Sequence, residues 1–247
     1  MVPDLDRGQP AFYAAVGRGR WRDWWTLLHP PYTAWHLSYV VIGSALAPRI
    51  DWVVFAGTLF SFFLAVGVSA HALDELHGRP LGTALSARTL IATAVLSLLT
   101  AASVGAALLT RVGLALAPLI VVGVVLVLGY NLELFGGRLH TRWGFALSWG
   151  AFPLIVGYLA QARTVTVGAV IAAAAAAALT DAQRALSTPA RMVRRQTVGV
   201  TGALTLRGGE VVTLTPQVLL TPLETALRAL SYAMVLLATG LAFIRWG

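Results

Sequence analysis

Long apolar runs, broken by polar stretches, fill most of the chain beyond residue 28. Seven of them, at 32–48, 52–70, 89–110, 112–130, 143–162, 164–180 and 229–246, come near the ~17–25 residues that carry a helix across the hydrocarbon core. The pattern predicts an all-α polytopic membrane protein with about seven transmembrane helices. The breaks alternate in character. Those at 49–51, 111 and 161–163 are short, whereas those at 71–88, 131–142 and 181–228 are longer and polar.

Two stretches depart from this rhythm. Residues 1–28 interleave Arg18, Arg20 and Arg22 with Trp21, Trp24 and Trp25, a composition suited to a segment lying among lipid headgroups. No short apolar core with a small-residue cleavage site follows the arginines, so a cleaved signal peptide is not expected. In 197–215, Val198, Val200, Leu204 and Leu206 alternate with small or polar residues before the turn Arg207-Gly208-Gly209-Glu210, which predicts a β-hairpin. The alanine run 172–178 offers small side chains for close approach between membrane helices. The organisation read from these features is an N-terminal interfacial segment at 1–28, a bundle at 29–190, a hairpin and connector at 191–228, and a final span at 229–247.

Composition sharpens the class. The 247 residues are 57% hydrophobic and 11% charged with a mean hydropathy of +0.76, less than half the ~25% charge of soluble domains. Cysteine and lysine are both absent, which removes disulfides, thiolate metal sites and lysine Schiff bases. All 18 basic residues are arginine, and the net charge is +8. Fourteen arginines fall on the side of the N-terminus and the longer breaks, against Arg49, Arg111, Arg163 and Arg245 on the other. The positive-inside rule therefore places the N-terminus and the longer loops in the cytoplasm of a multi-pass cell-membrane protein. Nucleic acid is not an expected partner, because no soluble module interleaves basic and aromatic residues.

Candidate chemistry gathers on that same side. His71, Asp74 and Glu75 follow the second run at i, i+3 and i+4, one helical face, with His77 and Arg79 beyond. Ionisable groups at the end of a membrane helix are costly to desolvate and face a cavity or water. A second cluster holds Tyr130, Asn131, Glu133, Arg138, His140 and Arg142; a third holds Asp181, Arg184, Arg191, Arg194 and Arg195. Carboxylates can hold Mg²⁺, and the metal with arginine forks can hold a diphosphate above an apolar cavity. Charged helix ends also serve simply as topology signals, and His36, inside the first run, reads as an interhelical hydrogen bonder. No HExxH, P-loop or Gly-x-Ser-x-Gly motif occurs.

The stretch Ala70-His71-Ala72-Leu73-Asp74-Glu75-Leu76-His77-Gly78-Arg79-Pro80 resembles the first acidic motif of the UbiA superfamily of intramembrane prenyltransferases, Asn-Asp-x-x-Asp-x-x-x-Asp followed by Arg-Pro. Asp74 would occupy the middle acid, with His71 and Gly78 replacing the outer ones. Asp181 matches the first acid of the second motif, whose partner position is Ala185. Tyr130, the stretch 143–158 and the opening 29–43 also look like the family's, so the resemblance covers roughly 27–190. It implies an enzyme acting on an isoprenoid diphosphate, by prenyl transfer to an acceptor or by cyclisation. Asp74, Glu75 and Asp181 would handle Mg²⁺ or the diphosphate, with His71 as ligand or base. Arg79, Arg138 and Arg191 would hold phosphate oxygens, and Tyr130 and Asn131 would orient the substrate. The missing acids favour a rival reading, a non-catalytic lipid- or partner-binding membrane protein on the same scaffold.

Overall fold

The structure, a computed structural model, describes residues 19–247. Of the N-terminal segment expected at 1–28, residues 1–18 lie outside the described residues. The chain forms α1 (Arg20–Leu28), α2 (Pro30–Leu46), α3 (Trp52–Leu76), α4 (Ala87–Val112), α5 (Leu114–Asn131), α6 (Arg142–Ala162), α7 (Val167–Arg195), the hairpin β1 (Ala203–Thr205) and β2 (Val211–Thr213), and α8 (Pro216–Trp246). Helices α3 to α8 are each long and apolar enough to cross a membrane. Helix α2, with 17 residues, sits at the lower limit of ~17–25 residues. The fold is thus an all-α polytopic membrane protein with one small two-stranded sheet.

Side-chain caps set most helix starts. Asp51 accepts from the amides of Val53 and Val54 ahead of α3, while Ser86, Thr141, Thr166 and Thr215 cap α4, α6, α7 and α8. Pro30 and Pro31 open α2, where a missing amide hydrogen costs nothing. The residue before them, His29, turns the chain out of α1 in a left-handed conformation (φ 44°). Two helices carry π-helical insertions that hydropathy cannot reveal, at Phe63–Ala70 in α3 and Leu147–Ala151 in α6.

Small residues bring the backbones together. A Cβ added at Gly43 of α2 would run into the carbonyl oxygen of Leu154, and one at Gly157 of α6 into that of Val40. A Cβ at Gly150 would lie 2.6 Å from the carbonyl oxygen of Ala176 on α7. The alanine run is explained by the same contact: Ala173, Ala176, Ala177 and then Thr180 form the buried face of α7, and the intervening alanines Ala174, Ala175 and Ala178 are exposed. Polar links stitch these helices inside the bundle. Trp35 Nε1 donates to Tyr39 Oη at 2.7 Å, and Thr180 Oγ1 donates to the same oxygen at 3.0 Å.

The two ends of the bundle differ in charge, as the arginine count requires. One end gathers the short connections: Arg111 pairs with Asp51 at 3.2 Å, and Arg245 donates to the carbonyl oxygens of Ala47 and Pro48. The other gathers the long ones, with Arg142 on Asp181 and Arg194 on Glu224. There α7 runs to Arg195 and α8 starts at Pro216 instead of near 229. At 29 and 31 residues they are ~44 and ~46 Å long, well beyond the ~30 Å hydrocarbon core. The hairpin between them pairs Leu204 with Val212 in antiparallel register, largely exposed, and α1 lies at the same end with Trp21 78% exposed.

Candidate functional site

At this arginine-rich end, a cavity of about 160 Å³ opens where the first turns of α2, the last turn of α3, the start of α6 and the final turns of α7 meet. Asp74, at the end of α3, is exposed to it, and its carboxylate makes no hydrogen bond among the described residues. Its charged or titratable neighbours are His71, His140, Arg191 and His77. Across the cavity, α7 contributes Gln183, Ser187 and Arg191 at four-residue intervals, one helical face, followed by Arg194 and Arg195. Glu224 of α8 holds the Arg194 guanidinium in a two-pronged ion pair.

Three histidines line the same space. Each presents Nδ1 to a main-chain carbonyl oxygen: His29 to Leu27 at 2.9 Å, His36 to Trp149 at 2.8 Å and His71 to Gly67 at 2.9 Å. A carbonyl oxygen only accepts, so each Nδ1 carries the hydrogen. The His36 bond crosses from α2 to α6, the interhelical role expected of it. The His29 and His71 rings stack at 4.5 Å. Burial, and then the neighbouring His71, push the His29 imidazole well below its ordinary pKa, with Arg195 and Arg191 adding to the shift.

The remaining residues singled out from sequence are in other surroundings. Glu75 is fully buried and turned away from Asp74; its carboxylate accepts from Leu81 N, Thr83 N and Thr83 Oγ1, each at 2.9 Å. Those bonds fold the 77–86 loop over the end of α3 and set Pro80 and Leu81 against the cavity. Arg79 donates to the carbonyl oxygen of Leu85 within that loop. Asp181 is held by both prongs of Arg142 and does not line the cavity. Tyr130 accepts from Arg184 at 3.0 Å and stacks on His140 at 4.5 Å, and Asn131 donates to its own helix at the carbonyl of Val127. Arg138 is exposed on the loop before α6. The cavity therefore collects His71, Asp74 and Arg191 from the expected set.

The expected convergence of Asp74, Glu75 and Asp181 on one ion does not occur. Both carboxylate oxygens of Glu75 are engaged by its own loop, and Asp181 is neutralised by Arg142. Among the described residues no group of three or more His, Asp or Glu side chains is arranged to hold a metal ion. These donors do not fit a shared Mg²⁺ cage. Sequence reasoning also left His29, Gln183 and Ser187 outside the site. The signal for the last two was the spacing 183, 187, 191 on a helix extended past 180.

A second hollow, about 80 Å³ and almost wholly apolar, lies between α3, α4, α5 and α6, against Phe62, Leu98, Ile120 and Phe152. Comparison of the chain with protein-family models, with curated proteins and with solved structures finds no significant match.

Proposed function

We propose that this membrane protein takes the phosphorylated headgroup of a membrane lipid into the cavity at its arginine-rich end. An isoprenoid diphosphate is the class implied by its UbiA-like motif at 70–80. The observation that carries the reading is Asp74 facing Arg191, with Arg194 and Arg195 alongside, inside one cavity at the ends of membrane-length helices. Guanidinium forks match phosphate oxygens, and an ion pair with Glu224 preorganises one of them. The apolar hollow among α3–α6 suits a hydrocarbon chain. The arginine asymmetry supports a cytoplasmic position for this end, together with the N-terminus.

As an enzyme, the protein would use His71 as the proton acceptor. Its Nδ1 is committed to Gly67, so the Nε2 of the neutral ring is the basic atom, and the adjacent Asp74 carboxylate stabilises the imidazolium that forms. The departing diphosphate would be received by the arginines of α7. No step is assigned to Mg²⁺. A second reading, lipid binding without transfer, is favoured by the commitment of Glu75 and Asp181 to purely structural bonds.

The test is binding of geranylgeranyl diphosphate to purified protein, with release of diphosphate measured in parallel. Arg191→Ala and Asp74→Asn are expected to change binding, whereas Asp181→Asn is expected to leave it unchanged. Release by wild type supports transfer chemistry, and tight retention without release supports the binding protein. Binding indifferent to Arg191 and Asp74 overturns the site.

A further inference from the structure

Besides the arginines, the cavity carries hydrogen-bond acceptors contributed by α2, α3 and α7. His36 and His71 both line it with Nδ1 already donating to main-chain carbonyls, so each neutral ring presents Nε2 as a lone pair. Neither Nε2 has a hydrogen-bond partner among the described residues. Gln183, only 3% exposed, lines the same space, and its buried Oε1 accepts nothing. Native proteins leave few buried polar side-chain atoms unpaired, so this amide points to a donor that arrives with a ligand. Asp74 adds a carboxylate, itself without a hydrogen bond.

A ligand that satisfies both sets of groups is anionic in one part and carries several donors in another. We propose that the cavity binds a phosphorylated polyol, its phosphate against Arg191, Arg194 and Arg195 and its hydroxyls donating to His36, His71, Asp74 and Gln183. An ammonium group would also supply donors, but it would sit near Arg191 and Arg195 with Asp74 the only acid among the lining residues, the charge of Arg194 being already met by Glu224; hydroxyls meet no such repulsion. The volume of about 160 Å³ is close to that of a ~150 Å³ cavity that admits benzene, which suits a group between glycerol and a single sugar. The inference rests on the phosphate reading above and specifies what accompanies the phosphate. The polyol can belong to a lipid headgroup or to a free sugar or glycerol phosphate.

The experiment uses the full chain in phosphatidylcholine nanodiscs and counts bound lipid by native mass spectrometry. Phosphatidylglycerol is compared with phosphatidylpropanol, which has the same charge and lacks both headgroup hydroxyls. Phosphatidylglycerol is expected to bind about tenfold more tightly, the effect of roughly two net hydrogen bonds. Gln183→Leu is expected to narrow that preference while phosphatidylpropanol binding stays as in wild type. Arg191→Ala is expected to weaken both lipids alike. Displacement of phosphatidylglycerol by sn-glycerol 3-phosphate identifies a soluble ligand; failure to displace it identifies the lipid headgroup. Equal affinity for the two lipids, with both still dependent on Arg191, overturns the polyol inference and leaves the phosphate reading standing. Tighter binding of phosphatidylethanolamine overturns the hydroxyl assignment in favour of an ammonium. Binding of neither anionic lipid nor glycerol phosphate overturns the phosphate reading as well.

Discussion

Glu75→Ala is expected to loosen the loop that roofs the cavity and to destabilise the fold through that loop alone. The carboxylate is fully buried and takes three donors, Leu81 N, Thr83 N and Thr83 Oγ1, each at 2.9 Å. The Thr83 hydroxyl can rotate to another acceptor, but the two amides are fixed by the backbone. Each buried amide left without a partner costs ~1–3 kcal/mol, so the substitution should cost about 2–6 kcal/mol. Glu75→Gln keeps one carbonyl oxygen, which can still serve two donors, and should cost about half as much. The assay is hydrogen exchange at Leu81 and Thr83 together with unfolding in mixed micelles. Both amides should lose protection in the alanine variant, before any change spreads to the α2–α6 contact. Wild-type exchange at Leu81 and Thr83, with cavity binding lost, would refute this account and make Glu75 a ligand-binding acid.

Two further expectations concern packing and pH. Gly157→Ala places a Cβ against the Val40 carbonyl oxygen and should cost ~1–3 kcal/mol by overpacking, whereas Gly240→Ala, with nothing within 4 Å, should stabilise α8 by ~0.5–1 kcal/mol; equal unfolding midpoints for the two variants would contradict the close approach of α2 and α6. Asp51 is held below the ordinary carboxylate range first by the Val54 amide, which burial opposes, with the Val53 amide and Arg111 adding to the depression. A carboxyl depressed in the fold stabilises it above the unfolded-state pKa, and that contribution is lost as pH falls through the folded value. Acidification should therefore weaken the start of α3 in wild type, while Asp51→Asn, still able to cap, should show a flatter profile by exchange at Val53 and Val54.

The fold was legible because its main signal is one-dimensional. Apolar runs near membrane length, arginine asymmetry and the 203–213 hairpin all follow from local composition, and each has its counterpart in the structure. What composition hid was continuation: 216–228 carries Pro222, Glu224 and Arg228, so its hydropathy drops, yet it is the first part of α8. The site was legible only in part, for a geometric reason. Asp74 and Glu75 are neighbours in sequence but ~100° apart around a helix, enough to send one to the cavity and the other under its own loop. Asp181 likewise carries a motif's residue type, but Arg142, 39 positions earlier, had no sequence signature as its partner. The cavity's histidines come from 29, 36 and 71, a grouping that only tertiary packing creates.

The overhang of α7 and α8 has one more consequence. Arg191, Arg194 and Arg195 lie on the last turns of a helix that outruns the oily slab, so their charges need not enter hydrocarbon. On the proposed reading, a visiting headgroup would not be dragged into hydrocarbon; it would stand upright at the waterline while its tail remained below. Compounds dissolved in the adjoining aqueous phase can reach the same place, and added salt should weaken capture there, because mobile ions compete freely at such a shore.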